Sequence, residues 1–366
     1  MTFRGQVAGW KASRRGEEAA PLLTDVPLYS VGALSSRVSP RVGTIFSIGE
    51  NDVDTATIRL VSSSDLDWKA EPGGEPADRP WARTLRARQA RYRRDHLGLP
   101  AGLHERRGTS RPVESRLPGW AVAEDPTLNF LADERIYEAV LKRLAKGGGG
   151  GIIEPHRLHH DLLSSQPLCF NLLALPALVD RTRLARALAT LLELDVRSIT
   201  DVKFEHRPVI DDGYSSGSAF DCYIEYKTST GKTTFLGIET KYSEDLARQR
   251  PSNNDDYRAL TEIPHSGWNQ GASLRLKQPV TCQLWYNALL AERAGRQSSY
   301  ESPTMVLLAC AADQPAFAAA QAVAADAPQG LVRWASYDQL VTLLGKGARL
   351  ESWAAHFATR YLEPCG

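Results

Sequence analysis

Residues 219–242, AFDCYIEYKTSTGKTTFLGIETKY, decide the fold. Two stretches rich in β-branched and aromatic residues, Ala219–Lys227 and Thr233–Tyr242, are separated by Thr228-Ser-Thr-Gly-Lys232. β-Branched and aromatic residues favour strands, and a short link that contains glycine favours a tight turn between two strands. The segment therefore predicts a β-hairpin.

The length of the loop sets the register of this hairpin. A three-residue loop, Ser229-Thr-Gly231 with the glycine in the left-handed conformation, places Asp221 directly opposite Glu239. A two-residue loop would place Asp221 opposite Thr240 instead. We favour the three-residue loop, which predicts two carboxylates with Cβ atoms ~4.5–5.5 Å apart.

The two faces of the predicted hairpin differ in chemistry. Lys241 shares the face of Asp221 and Glu239, because side chains alternate with a period of two along a strand. The opposite face is apolar and suits packing against a helix; it carries Cys222, Ile224, Tyr226, Leu236 and Ile238.

The flanking patterns extend the hairpin to a mixed sheet. Arg181–Leu194 has helical periodicity, Ile199–Glu205 reads as a strand, Pro279–Ala294 as a helix and Thr304–Ala309 as a strand. The order from residue 181 is therefore α-β-β-β-α-β. A helical crossover after three closely linked strands indicates an α/β fold with a mixed central sheet.

Two carboxylates and one lysine with no histidine or cysteine form an oxygen-rich site. Such a site suits Mg²⁺ or Mn²⁺ rather than zinc, and the lysine can orient an attacking water for phosphodiester cleavage. The alternative is a surface hairpin with ordinary salt bridges. A second Glu-x-Lys pair, Glu225 and Lys227, is predicted to be structural, because Glu225 lies ~13 Å along the strand from Asp221.

Further residues complete the predicted site. Glu205 and Thr240 are predicted to join the metal ligands, and Gln283 is predicted to be catalytic. Tyr286 and Asn287 share a helix face with Gln283, because they follow it by three and four residues. Glu244, which closely follows the motif, is a candidate supporting group, and Gln166 and Asn171 are either core amides or groups at the catalytic edge.

The order of elements, with Asp221 on the second core strand and Gly237-Ile-Glu-Thr-Lys-Tyr242 on the third, resembles the PD-(D/E)xK nuclease superfamily, which has the restriction-endonuclease-like fold. The segments 164–171, 218–221 and 282–287 are similar to a bacterial branch of restriction endonucleases. The resemblance covers about residues 125–345, and Phe220 stands where the signature has proline.

The resemblance implies roles for the motif. Asp221 and Glu239 would bind the metal, and Lys241 would act at the attacking water. It also implies a 5′-phosphate product. We expect a metal-dependent deoxyribonuclease, with DNA as its partner and a role in restriction or phage defence. The alternatives are a ribonuclease and a non-catalytic nucleic-acid-binding protein on the same fold; a homodimer or a partner in a defence complex is left open.

Charge is distributed unevenly. The net charge is +1 overall, but residues 50–78 carry −6 and residues 79–116 carry +8. A helix over Trp81–His96 bears many arginines, which favour bidentate phosphate contacts. Alternatively, this helix is solvated or bound to the acidic segment. The residues predicted to bind nucleic acid are Arg86, Arg88, Arg91, Arg93 and Arg94.

Composition limits the class of protein. With 366 residues, 42% hydrophobic and 24% charged, the chain is globular rather than disordered. Five cysteines without a CxxC pair favour a reducing, cytoplasmic setting. The predicted divisions are an N-terminal extension (1–78), an arginine-rich helical segment ending in a glycine linker (79–150) and the nuclease core (151–366).

Overall fold

The computed structural model describes most of the chain after residue 79. The N-terminal extension predicted for 1–78 and the glycine run at 147–151 lie outside the described residues. All described residues belong to one compact unit, Ile58–Gly366. Their ranges are 80–106, 109–146, 153–210, 217–252, 255–298 and 300–362.

The described residues form seven strands and twelve α-helices. The strands are β1 (Gly102–Arg106), β2 (Thr109–Val113), β3 (Ser198–His206), β4 (Phe220–Lys227), β5 (Thr233–Thr240), β6 (Thr304–Ala309) and β7 (Val332–Ser336). The helices are α1 (Pro80–Arg91), α2 (Gly119–Glu124), α3 (Glu134–Ala145), α4 (Pro155–His159), α5 (Ser165–Val179), α6 (Arg181–Leu192), α7 (Asp255–Thr261), α8 (Ala272–Leu276), α9 (Pro279–Gln297), α10 (Gln314–Asp326), α11 (Tyr337–Gly345) and α12 (Glu351–Phe357). None of these helices is both long and apolar enough to cross a membrane.

The central sheet has the order β3-β4-β5-β6-β7. The first three strands are antiparallel, and β5, β6 and β7 run parallel. Helix α9 provides the crossover between β5 and β6, as parallel neighbours require. The predicted α/β fold with a mixed sheet is confirmed.

The hairpin of β4 and β5 has the register of a three-residue loop. Thr228 donates from its backbone N–H to the carbonyl of Lys232, and Cys222 pairs with Ile238. Gly231 has a φ of 81°, the left-handed conformation that glycine adopts without steric cost. The two-residue alternative is therefore wrong.

Helices cover both faces of the sheet. On one face, Cys222, Ile224, Tyr226, Leu236 and Ile238 pack with apolar residues of α5, α6, α11 and α12, as the sequence predicts. On the other face, apolar residues of β4, β5 and β6 pack against α9 and α10. These two layers hold the strand ends that carry the carboxylates.

A glycine makes room for one aromatic ring beside the site. A Cβ at Gly237 would lie 2.4 Å from the ring of Phe220. Phe220 precedes Asp221 and is fully buried. The ring therefore occupies the space that a side chain at position 237 would take, and it anchors the start of β4.

The region before the core contains elements that its composition does not predict. Residues 98–126 are rich in glycine, proline and arginine, which predicts loop, but they contain the antiparallel pair β1–β2 and the short helix α2. Apolar periodicity predicts a helix over Leu128–Ala145 with Leu144 facing inward. The helix begins only at Glu134, because the Asp133 side chain accepts a hydrogen bond from Arg135 N and caps it there, and Leu144 is 39% exposed.

Candidate active site

Three carboxylates lie side by side at one end of the sheet. Glu205 of β3 is opposite Asp221 of β4, because the pairs on either side of them follow one register. The register of β4 and β5, continued by one residue, places Asp221 opposite Glu239. Carboxylates this close repel one another, so the arrangement calls for compensating positive charge.

Three side chains hold Glu239. Lys241 Nζ lies 2.5 Å and Gln283 Nε2 lies 2.8 Å from Glu239 Oε1, and both donate to it. Asn287 Nδ2 donates to Oε2 at 2.8 Å. Gln283 and Asn287 are one turn apart on α9, which is why one helix reaches both oxygens. The carboxylate is buried at 3% exposure and has a fixed orientation.

Thr240 holds the second carboxylate. Its backbone N–H and its Oγ1 donate to Asp221 Oδ2 at 2.7 and 2.6 Å. Burial raises the pKa of Asp221 well above its usual range, and the charges of Glu239 and Glu205 raise it further. The energetic cost of ionising Asp221 falls when a cation occupies the site.

Lys241 is buried among acidic groups. Burial alone would lower its pKa, but the nearby charges of Glu239, Glu244 and Asp221 outweigh burial and raise it. The ammonium group is therefore charged at neutral pH. It can donate a hydrogen bond to a water or a phosphate oxygen, but it cannot accept a proton there.

Glu205 is the third carboxylate, and its backbone is strained. Its φ of 46° lies in the left-handed region, which costs a non-glycine residue about 1–3 kcal/mol. Gln166 Nε2 donates to Glu205 Oε1 at 3.0 Å. Burial, with a contribution from the charge of Glu239, raises the pKa of Glu205 to about 7. Gln166 therefore contacts a carboxylate of the candidate site, whereas Asn171 is hydrogen-bonded to Leu131 N and Tyr361 OH in the core.

Glu244 ties the site to the elements before the sheet. Its Oε1 accepts from Arg157 Nη2 at 3.0 Å and from the N–H of Ser165 at 2.9 Å, and its Oε2 accepts from Tyr242 N. Lys241 and Arg157 lower the pKa of Glu244 despite burial. This carboxylate fixes α4, α5 and the chain after Lys241 relative to one another.

These groups line a polar cleft of about 290 Å³. Its acidic lining consists of Glu205, Asp221, Glu239 and Glu244, and Lys241, Arg157 and Arg207 supply positive charge. No pattern in the sequence predicts that Arg157, Ser165 and Arg207 line this cleft. Arg157 and Ser165 meet Glu244 across 87 and 79 residues of chain, and no local pattern signals such contacts.

The donor atoms fit a divalent cation. Among the described residues, Asp221 Oδ1 and Glu205 Oε2 accept no hydrogen bond, and the buried Gln283 Oε1 has no partner. Unsatisfied oxygens of carboxylates and amides are ligands that Mg²⁺ and Mn²⁺ accept. No cluster of three or more histidine, cysteine or acidic side chains in the described part of the chain is arranged to hold a metal. The fit therefore rests on fewer protein ligands, the two opposed carboxylates Asp221 and Glu239, which is the number that Mg²⁺ usually takes when it keeps several of its waters.

Two other predicted groups lie elsewhere. Tyr286 accepts a hydrogen bond from Ser252 N and stacks on Tyr257, so it does not join Gln283 and Asn287 in contacting Glu239. Glu225 accepts hydrogen bonds from Thr200 and Tyr300, outside the lining of the cleft.

The arginines of the N-terminal helix divide into two groups. Arg88 is buried and donates to the carbonyl of Tyr361, and Arg93 is buried and pairs with Glu114. Both guanidinium groups are bonded to other parts of the chain, and their role in binding nucleic acid stays a prediction. Of the others, Arg86 donates to Ser115 and is half-buried, Arg91 is half-buried, and Arg94 is exposed beside Asp95.

One comparison with known proteins identifies a family for this chain. The family model described as the PD-(D/E)XK nuclease superfamily matches residues 76–363. No curated protein and no solved structure matched the chain. The family match spans the arginine helix, the sheet and the cleft. The chain therefore belongs to the PD-(D/E)XK nuclease superfamily.

Proposed function

We propose that this protein is a Mg²⁺- or Mn²⁺-dependent deoxyribonuclease that acts in restriction or phage defence in the cytoplasm. The observation that carries the proposal is the arrangement of Glu239. Its orientation is fixed by Lys241, Gln283 and Asn287, directly across from Asp221. A surface hairpin with ordinary salt bridges would not bury a lysine and a carboxylate at 4% side-chain exposure each.

Asp221 and Glu239 would hold the cation, with Glu205 as a further carboxylate. Thr240 would add its backbone carbonyl, because its N–H faces Asp221 and the two groups of one residue point to the same side of a strand. When bound, the cation supplies positive charge that polarises the phosphodiester and stabilises the charge that develops in the transition state.

The chain's own residues supply orientation. Lys241, held charged by its acidic neighbours, donates a hydrogen bond that positions the attacking water or stabilises a phosphate oxygen. Gln283 and Asn287 are positioning residues that keep Glu239 from rotating. Arg157 and Arg207 give the cleft positive charge for a phosphate.

Cleavage assays test the proposal directly. Circular DNA, linear DNA and RNA are each incubated with the full chain in Mg²⁺, Mn²⁺ or EDTA, with Asp221→Asn as the matched inactive variant. We expect cleavage of DNA that needs a divalent cation and Asp221. Cleavage of RNA alone would identify a ribonuclease, and binding without cleavage of either polymer would identify a non-catalytic binding protein.

A further inference from the structure

A second cleft lies at the free edge of β3, beside the catalytic cleft. It has a volume of about 210 Å³ and is formed by α3, α5, α6 and β3. Its floor is apolar, with Val202, Phe204 and alanines of α3 and α5. Five cations line it: Lys142, Arg143, Lys146, Arg181 and Lys203.

The charge of this basic cleft is strongly positive. Glu205 is its one lining carboxylate, and burial lowers the pKa of His206 to about 4, which leaves that ring neutral at pH 7. The acidic neighbours Glu138 and Asp201 form exposed ion pairs with Lys142 and Lys203, and such pairs neutralise little. The sequence contains ten lysines, so three in one small cleft are a marked concentration.

The basic cleft adjoins the carboxylates of the candidate site. Glu205 lines both clefts. Arg143 Nε donates to the backbone carbonyl of Glu205 at 3.1 Å, and this bond joins α3 to the strained residue of β3. A polymer with its cleaved bond at Asp221 and Glu239 therefore has a cationic surface to follow in one direction.

We propose that the basic cleft binds the polynucleotide backbone on one side of the scissile phosphate, with Lys142 and Lys146 contacting phosphates. This inference rests on the proposed nuclease function. The positive charge of the cleft complements the negative charge of a polynucleotide. Because the cleft lies beside Glu205, phosphate contacts there would fix which phosphate of the substrate reaches the candidate site. It also places the cationic surface on α3 and β3 rather than on the arginine-rich stretch 79–96.

Binding measurements with matched charge changes test the inference. In the Asp221→Asn background, Lys142→Gln with Lys146→Gln is compared with Lys227→Gln with Lys232→Gln, which removes two exposed lysines at the opposite end of the hairpin. The probes are a fluorescent DNA duplex and a fluorescent single strand of about 30 nucleotides, long enough to cover all the expected phosphate contacts. Anisotropy gives the slope of log K against log salt concentration.

For the probe that binds, we expect the slope of the Lys142→Gln/Lys146→Gln variant to be shallower by about two than that of the Asp221→Asn parent. The slope of the control variant should equal that of the parent. Equal slopes in both pairs, with matching melting temperatures, would overturn the inference. A wild-type protein that cleaves no nucleic acid contradicts the proposed function. A cleaving protein whose slope is insensitive to Lys142 and Lys146 contradicts only the basic-cleft assignment.

Discussion

Glu205 and Asp221 face each other across β3 and β4, and Glu205 reaches this position with a left-handed backbone. Strain of about 1–3 kcal/mol is retained where the surrounding structure enforces it. Here the pairs on both sides of Glu205 belong to the ladder of the sheet. The fold thus holds two repelling carboxylates together, which destabilises the protein without a cation and prepares a site that a cation would stabilise.

Glu205→Gln should stabilise the metal-free protein at neutral and alkaline pH. The folded-state pKa of Glu205 is raised to about 7 from an ordinary 4.5, so its contribution to stability is present below pH 4.5 and is lost as pH rises through 7. The loss is at most about 3 kcal/mol. In EDTA at pH 8, we expect the variant to melt at a temperature roughly 2 °C or more above that of the wild type. At pH 4, we expect the two proteins to melt at the same temperature. A wild-type advantage at pH 8 would contradict the raised pKa.

Lys241→Ala should lower turnover by about 10²–10³-fold, the cost of losing one fixed donor to a developing negative charge. The variant should still bind the cation, because a lysine is no metal ligand. Mg²⁺ titration by calorimetry and cleavage rates at saturating Mg²⁺ separate the two effects. Lys227→Gln, which removes the lysine of the other Glu-x-Lys pair, is the control and should cleave at the wild-type rate.

Asn287→Ala should raise the Mg²⁺ concentration needed for half-maximal cleavage, because Glu239 Oε2 loses its donor. Asn287→Asp should be more severe, since it adds a carboxylate beside Glu239. Loss of a hydrogen bond to a group that binds the metal typically costs about 10–100-fold in metal affinity or activity. Tyr286→Phe is the control on the same helix, because its hydroxyl contacts Ser252 rather than the site. Equal Mg²⁺ requirements for Asn287→Ala and wild type would show that Glu239 needs no such support.

Glu239→Gln should abolish cleavage, whereas Glu225→Gln should leave its rate within a factor of about two of the wild type. Only Glu239 lies opposite Asp221; Glu225 is bonded to Thr200 and Tyr300. Cleavage rates of both variants under one Mg²⁺ condition decide between the two Glu-x-Lys pairs. An inactive Glu225→Gln beside an active Glu239→Gln would reverse the assignment.

Arg93→Gln should destabilise the fold, and Arg94→Gln should not. Loss of the Arg93 guanidinium leaves Glu114 and the carbonyl of Leu99 without their donor, at a cost of about 2–4 kcal/mol. We expect the melting temperature to fall by roughly 3–5 °C. Arg94 and Asp95 are exposed, so their pair contributes little. Equal melting curves for the two variants would show that the buried contacts of Arg93 do not contribute to the stability of the fold.

Local signals in the sequence are enough to predict the elements and the register of the core. Period-two alternation and a glycine at the left-handed position predict Asp221 opposite Glu239, and the strand pairing agrees. The same local logic identified Gln283, because i, i+4 spacing on a helix defines a face. That spacing does not show which side chains contact Glu239: it predicts Tyr286 on the same face, but Tyr286 is hydrogen-bonded to Ser252 instead.

Tertiary structure alone decided which charges are buried and what they contact. Arg88 and Arg94 are six residues apart in one basic stretch, yet Arg88 is 9% exposed and bonded to Tyr361, 273 residues away, whereas Arg94 is exposed. The basic cleft brings together cationic residues of α3, α6 and β3. These residues are far apart in the sequence, so the charge of any one stretch of the chain does not predict the cleft. Burial and long-range pairing depend on how the layers pack, and the free energy of a charged group follows its surroundings rather than its neighbours in sequence.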